Sequence, residues 1–503
     1  MNESYFLSLL VFSPLIGVIL LMLAPKGQEK LIKTIGVGAT IIPLVLAVMA
    51  FVSFDRANDG IQFAESKSWI SFSNQVLRMY NVDFAVPYEL GVGGLGIIFI
   101  LLTAVVSTLA AIASALQIKH SIKGYFILFL ILQIGMLGVF ASQNLFLFFL
   151  FFEVTLIPMF FLIGRWGYED REKAAYSFLI YNGLGSAALL IAIVGLFVQT
   201  QTLNFTEMAQ VLASFSAEAN GYKWGIFIAL FIAFGVKLPI FPLHSWMLRV
   251  HVQAPPAIVM IHSGILLKIG AYGVIRFGVG LFPEQVTSLA TVIAILGVVN
   301  LLYGAYLALI QSDLKMVLAY SSISHMGIVL IGIAALNEAG LKGALFQAVS
   351  HGLISALLFF LVGVYYERTK TSHLNNLGGL AKSMPIASGF LLVGGMASLG
   401  LPGMSGFISE FLAFLGLFKT MPIIAAVGTL GIIMTAVYVL RAVLKITFGP
   451  MDEKWSGLHD LKPAETGVVV VLVTFIIVIG VYPNVLSEPL QASINLILAG
   501  IGG

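Results

Sequence analysis

Phe231-Ile-Ala-Phe-Gly-Val-Lys237-Leu-Pro239-Ile-Phe-Pro242-Leu-His244 puts one lysine in the middle of an apolar run, two residues before a proline. A soluble core does not place a lone lysine there, and few membrane helices tolerate it. A charge at the centre of a bilayer costs about 2.5–3.5 kcal/mol on insertion scales, so it marks an ion path or a proton relay. Three more charges sit in comparable surroundings: Glu153, Lys268 and Glu410.

The rest of the chain fits lipid. Of 503 residues, 59% are hydrophobic and only 10% charged, with a mean hydropathy of +1.03. Soluble domains carry about 25% charged residues. Apolar stretches of helix-spanning length recur from end to end, without the ten-residue alternation of a membrane β-barrel. The longest polar interval, Phe54 to Glu89, is interrupted by Trp69, Phe72 and Tyr80. There is no cysteine, which excludes disulfides, thiolate-held iron–sulfur clusters and c-type haem attachment on this chain. A net charge of +3 is too small to suggest nucleic acid.

The reading is an all-α polytopic membrane protein with about fourteen spans. They fall near 5–24, 31–53, 91–117, 122–141, 144–164, 174–198, 222–247, 256–277, 285–309, 315–336, 342–365, 384–418, 421–444 and 465–482. The first lacks a positive n-region and is followed by Lys26, Lys30 and Lys33, which predicts a first span with its N-terminus outside rather than a cleaved signal. In that orientation the cytoplasmic loops hold seventeen lysines and arginines and the outer loops seven; Lys237 and Lys268 complete the 26. A missed span would scramble this asymmetry. Both termini are then expected on the outer side.

Two spans are broken in sequence. Span 7 carries Pro239 and Pro242, each removing a backbone donor. Span 12 carries Ser398-Leu-Gly400-Leu-Pro402-Gly403-Met-Ser-Gly406. Irregular backbone at membrane depth survives only inside protein or against a wet cavity. The broken span is the fourth in each of two five-helix sets, spans 4–8 and 9–13. An odd number of helices makes the second set enter from the opposite side, the pattern of inverted repeats whose interrupted helices line a transport path. The plain alternative is that Gly and Pro are common in membrane helices anyway; a charge beside each break favours the repeat. The expected organisation is 1–121 for the first three spans, 122–284 and 285–448 for the repeats, and 449–503 for span 14 and the tail.

Glu153 (span 5) and Lys237 (span 7) lie within one repeat and can pair. Burial disfavours a charged ammonium and a nearby carboxylate favours it, so moving that carboxylate loads or releases the lysine proton. Lys268 is mid-span 8, and Glu410 follows the break in span 12. His325, on a hydroxyl-rich face with Ser321, Ser322 and Ser324, and His351 can carry protons between Lys268 and Glu410. The bland readings are a static buried ion pair and histidines bonded to helix carbonyls. His244 and His262 either line an entrance or cap. Tyr303, Ser321 and Ser324 either hold water or back-bond within their helices. Gly91-Val-Gly93-Gly-Leu-Gly96 matches a dinucleotide fingerprint by letters alone, since it opens a membrane span and follows no strand of a βαβ unit. The sequons Asn2-Glu-Ser4 and Asn204-Phe-Thr206 mean nothing outside a secretory pathway.

These motifs resemble a known family. Lys237-Leu-Pro-Ile-Phe-Pro-Leu-His-Ser-Trp246, Val252-Gln-Ala-Pro255, Gly264-Ile-Leu-Leu-Lys268-Ile-Gly-Ala-Tyr-Gly273, Ala319-Tyr-Ser-Ser-Ile-Ser-His325-Met-Gly and Phe-Phe-Glu153 are similar to those of the antiporter-like subunits of proton-pumping NADH-quinone oxidoreductase, complex I. The likeness covers nearly the whole chain. It implies fourteen helices in two inverted repeats, Glu153 and Lys237 as a modulating pair, Lys268 with His325 and His351 as a central relay, and Glu410 as the outlet acid. Glutamate at position 410 resembles the M, or chain 4, branch, where other branches carry lysine. The tail is too short for the long lateral helix of the L branch. One departure is Met247-Leu-Arg249-Val-His251, where many members have Leu-Pro-Asp-Ala-His.

The resemblance implies a translocase subunit in a bacterial cell membrane, beside neighbouring antiporter-like subunits. NADH, FMN, iron–sulfur clusters and quinone would belong to partner chains, with no cofactor or metal here. Competing readings are a Mrp-type cation/proton antiporter subunit, a pump subunit of a hydrogenase-type complex, and a static scaffold.

Overall fold

The computed structural model describes residues 5–72, 84–215 and 220–502; Arg78, Tyr80 and the sequon at Asn2 lie outside them. The helices are α1 (Phe6–Phe12), α2 (Pro14–Leu23), α3 (Glu29–Ser53), α4 (Gly94–Gln117), α5 (Ile122–Ala141), α6 (Leu145–Trp166), α7 (Arg171–Thr200), α8 (Phe205–Ala213), α9 (Asn220–Lys237) and α10 (Ser245–Gln253). They continue as α11 (Pro256–Val279), α12 (Pro283–Ile310), α13 (Leu314–Ala334), α14 (Glu338–Thr369), α15 (Pro385–Ser398), α16 (Ser405–Thr420), α17 (Pro422–Thr447), α18 (Pro463–Val481) and α19 (Asn484–Ile501).

Among the described residues, 11 helices are long and apolar enough to cross a membrane, or 12 when α1 and α2 count as one span bent by 41°. The sequence reading took 5–24 as a single span. The bend falls at Pro14, which has no N–H to continue the ladder. α11 and α14 are buried along their whole apolar length, whereas α3 and α17 are buried over only 33% of theirs. The bundle thus has α11 and α14 at its centre, with outer helices presenting Ile157, Leu184, Ile191 and Ile423 outward.

The chain is not all-α. The polar interval after α3 contains an antiparallel hairpin, β1 (Gln62–Phe72) and β2 (Phe84–Val92), with Lys67 opposite Tyr88 and Ile70 opposite Val86. β2 places Val86, Tyr88, Leu90 and Val92 on a period of two, which a hydropathy window of helix length averages away, while β1 has no regular alternation. Glu65 anchors it. Its buried carboxylate accepts from the backbone N–H of Leu7 at 2.6 Å and of Ser8 at 3.2 Å, the free donors at the start of α1.

Both sequence interruptions are real gaps in helix. α9 stops at Lys237 and α10 starts at Ser245; α15 stops at Ser398 and α16 starts at Ser405. In the second gap Gly400 and Gly403 take φ of +78° and +91°, values that favour glycine. α11 carries two π-helical segments, His262–Leu266 and Val274–Val279, which the sequence reading did not foresee.

Candidate functional site

The first gap is closed by a residue the sequence reading passed over. Asn300, fully buried on α12, accepts from Phe241 N–H at 2.7 Å and donates to the Pro239 carbonyl at 3.1 Å. Backbone groups within the gap therefore find a partner inside the protein, as membrane depth requires. This lets α9 end with Lys237 aimed into the bundle, only 2% exposed.

Lys237 does not meet Glu153 as a contact ion pair. Its ammonium lies 4.7 Å from the centre of the Phe152 ring and 5.6 Å from that of Phe178. Successive helix residues point about 100° apart, so the face of α6 that offers Phe152 to Lys237 turns Glu153 aside. The buried Oε1 of Glu153 has no hydrogen-bond partner among the described residues. In place of a contact pair, the Lys237 ammonium thus sits in an aromatic cradle. Such cation–π contacts are worth about 2 kcal/mol when desolvated.

Beyond the cradle, the edge of Phe178 meets His262, which also packs on Trp246. His262 Nδ1 and His251 Nε2 are 2.9 Å apart, both rings buried. His262 therefore sits deep inside the bundle. The other nitrogens of this pair, His251 Nδ1 and His262 Nε2, have no partner among the described residues. Sequence reasoning missed His251 as a site; its spacing of eleven from His262 spans a helix break, which no periodicity reveals. His244 instead pairs with Tyr303 at 3.2 Å.

Lys268, fully buried, reaches the Ser263 carbonyl at 2.5 Å and His351 Nδ1 at 2.7 Å. The π turn at His262–Leu266 presents that carbonyl to a side chain five residues on. Glycines bring the two helices together: a Cβ on Gly352 would lie 2.8 Å from the Gly264 carbonyl oxygen. His351 stands 5.4 Å from His325, ring centre to ring centre. His325 Nε2 contacts Ser398 Oγ at 3.2 Å, at the second helix gap. His325 Nδ1 accepts from Gln347 Nε2 at 3.0 Å and lies 3.7 Å from Glu410 Oε1. Gln347 Oε1 accepts in turn from Ser409 Oγ at 2.5 Å. Gln347 was legible in principle, as an amide in a membrane span four residues before His351 on the same helix face.

A cavity of about 10 Å³, water-sized, opens among Ser321, Ser322, Ser355, Ser398, His325 and His351. Tyr438 donates to Ser321 at 2.8 Å beside it. Lys268, His351, His325 and Glu410 therefore form a near-continuous buried row, with Lys237 reached through Phe178 and His262. Among the described residues, no group of three His, Asp or Glu side chains is placed to hold a metal ion.

Residues 142–435, which include Lys237, Lys268, His325, His351 and Glu410, match the family model for the transmembrane part of the NADH:quinone oxidoreductase/Mrp antiporter proteins. The chain belongs to this family. The likeness to individual members extends further than the family model. NADH-quinone oxidoreductase subunit M of Rhodobacter capsulatus is 36% identical over 97% of this chain and 95% of its own length. NAD(P)H-quinone oxidoreductase chain 4 1 of Synechococcus sp. (strain JA-3-3Ab) is 39% identical over 97% of this chain and 91% of its own. Among solved structures, a chain of respiratory complex I from Thermus thermophilus superposes with a TM-score of 0.85 at 29% identity, covering 99% of this chain and 100% of that one. A chain of the membrane-bound sulfane sulfur reductase, an archaeal respiratory membrane complex, superposes at 0.84 with 26% identity over 97% of this chain and 77% of that one.

Proposed function

We propose that this chain is a proton-translocating membrane subunit of NADH-quinone oxidoreductase, the M or chain 4 type, working beside other membrane subunits of that complex. The observation that carries the reading is the row Lys268–His351–His325–Glu410, buried at the centre of a chain that is alike over nearly its full length to the subunits M and chain 4.

The chemistry is proton transfer only. Lys268 hands a proton to His351 Nδ1 along their 2.7 Å contact. His351 passes it to His325 across a gap that a water in the serine-lined cavity can bridge. His325 delivers to Glu410 once Nδ1 is free of Gln347. The driving change enters at Lys237. A carboxylate that moves toward or away from its aromatic cradle changes the hold on that charge, and the altered field acts on Lys268 through the low-dielectric interior. Electron transfer would lie on partner chains, with NADH, FMN, iron–sulfur clusters and quinone.

The same reading takes α9 with α10 and α15 with α16 as spans 7 and 12 of fourteen, the fourth members of inverted repeats at 122–284 and 285–448. The matching gaps beside Lys237 and before Glu410 support this. The seventeen-to-seven loop asymmetry supports both termini outside, in the cell membrane of a bacterium.

Lys237→Ala tests the function. Assembled complex should lose proton pumping and coupled oxidoreductase activity; full activity of both in assembled complex would overturn the relay. A static scaffold would give that second result.

A further inference from the structure

On the face that carries the basic loops, a cavity of about 450 Å³ lies between the α2–α3 turn, the start of α5 and the end of α6. Lys26, Lys123 and Arg165 line it with Ser121, against the single negative charge of Glu29. Each cation is held in place or left free for a reason. Lys123 donates to the carbonyls of Met22 and Ala24, both at 2.9 Å, and so ties the end of α2 to the cavity wall. Arg165 lies along the Trp166 ring and spends one N–H on Ser121 Oγ at 3.0 Å, leaving its other donors open. Lys26 is exposed and has no ion-pair partner among the described residues. Ser121 makes no side-chain cap to the first turn of α5, whose Ile122, Lys123 and Gly124 also line the cavity.

What lies beside the cavity identifies its occupant. Below Arg165 on the same face of α6 are Phe161 and Ile157, 47% and 61% exposed, four and eight residues away. On the flanking helices α2 and α3, Leu20, Leu23 and Leu31 are also bare. A cluster of cations directly above an apolar wall matches one chemical class: a phosphate carrying hydrocarbon chains. Basic pockets between membrane helices bind such headgroups.

We propose that this cavity binds the phosphate of an anionic phospholipid, with Arg165 and Lys26 as its principal donors and the Ile157–Phe161 face of α6 holding an acyl chain. The site is separate from the proton row and stands whether or not that row pumps.

Native mass spectrometry of the purified full chain in detergent, titrated with phosphatidylglycerol or phosphatidylcholine, tests it. The expected result is one saturable phosphatidylglycerol adduct that phosphatidylcholine does not match. Each basic residue near a lipid surface is worth about fivefold in binding, so K26Q/R165Q should weaken the adduct by about 25-fold. K26Q alone, at an exposed position without contacts, should weaken it by about fivefold and covers the case in which the double variant fails to insert. Equal binding of the two lipids, or undiminished binding by K26Q, overturns the proposal. Displacement by millimolar inorganic phosphate overturns the lipid source in favour of a free anion. An adduct seen on the chain but absent from the assembled complex overturns it in favour of a protein partner at this face.

Discussion

Nδ1 of His325 lies 3.7 Å from Oε1 of Glu410, close enough for an ion pair and too far for a hydrogen bond. The reason is Gln347, whose amide donates to the same nitrogen at 3.0 Å. A nitrogen that accepts from Gln347 carries no proton to give to Glu410. Gln347 is thus a latch on the last transfer of the row. Gln347→Leu removes it. The expected result is a faster passive decay of a pH gradient in proteoliposomes, by about fivefold, the worth of one net hydrogen bond of about 1 kcal/mol. An unchanged or slower decay in folded protein would sink the latch.

Lys268 and His351 give the second prediction. Their 2.7 Å contact joins two buried groups from helices that glycines bring together. His351→Phe fills the space and offers no acceptor. Hydrogen bonds to charged groups contribute about 1.5–3 kcal/mol, which corresponds to a loss of about tenfold to a hundredfold in proton pumping. Pumping and quinone reduction measured together on assembled complex would show it. Retention of more than half of the pumping rate would mean that protons leave Lys268 by another route.

Much of this was legible before any coordinates. Lone charges in apolar runs mark themselves by their cost, and prolines beside them mark the helix gaps. Lys237, Lys268 and Glu410 were found that way; that His351 neighbours Lys268 while His325 neighbours Glu410 is an order the sequence did not supply. What stayed hidden depends on rotation and on distant partners. The azimuth of α6 decides that Phe152 rather than Glu153 meets Lys237, and no spacing rule sets it. Asn300 looks like an ordinary polar residue until the groups it binds are brought to it from some 60 residues away. The hairpin was lost because the period-two alternation of β2 runs over only nine residues and vanishes in a window tuned to spans, and β1 does not alternate regularly.

Gly400 offers a third test. It takes a φ of +78°, and a Cβ placed there would lie 2.6 Å from Glu410 Oε2. Gly400→Ala therefore strains the backbone by about 1–2 kcal/mol and pushes the carboxylate off its position facing His325. Assembly should persist while pumping falls by at least tenfold. Glu410→Gln should give the same phenotype, and combining the two should add little, because both act on one carboxylate. Additive losses in the double variant would show that Gly400 acts elsewhere.

Glu89, on β2 outside the spans, makes stability depend on pH. Burial holds its carboxyl above the ordinary glutamate range, and the charge of Glu207 adds to this; hydrogen bonds from Asn204 and Asn144 pull it down without cancelling the effect. As pH rises past the ordinary value of about 4.3, the unfolded chain releases this proton before the folded one does. Stability then falls with rising pH until the folded carboxyl also ionises. Glu89→Gln keeps an acceptor for Asn204 and removes the charge. Its melting temperature should match the parent at about pH 4 and exceed it increasingly toward pH 7. Parallel curves across that range would exclude Glu89 as the source.

Arg368 ties the end of α14 to the start of α18. Its guanidinium donates to Glu465 Oε2 at 2.6 Å, to the His459 carbonyl at 2.7 Å and to the Asp460 carbonyl at 3.1 Å. Glu465, 2% exposed, also accepts from Lys462 N–H at 2.7 Å, and Asp460 caps the first turn of α15 through Ile386 and Ala387. Arg368→Leu leaves a carboxylate buried without its cation, a loss of about 3–5 kcal/mol in stability. Replacing both partners by apolar residues is often nearly neutral, so R368L/E465L should recover most of it. Thermal unfolding of the purified chain in detergent separates the cases. The single variant should melt well below the parent and the double variant near it. A single variant as stable as the parent would mean that Lys462 and solvent suffice for Glu465 and that the clamp adds nothing.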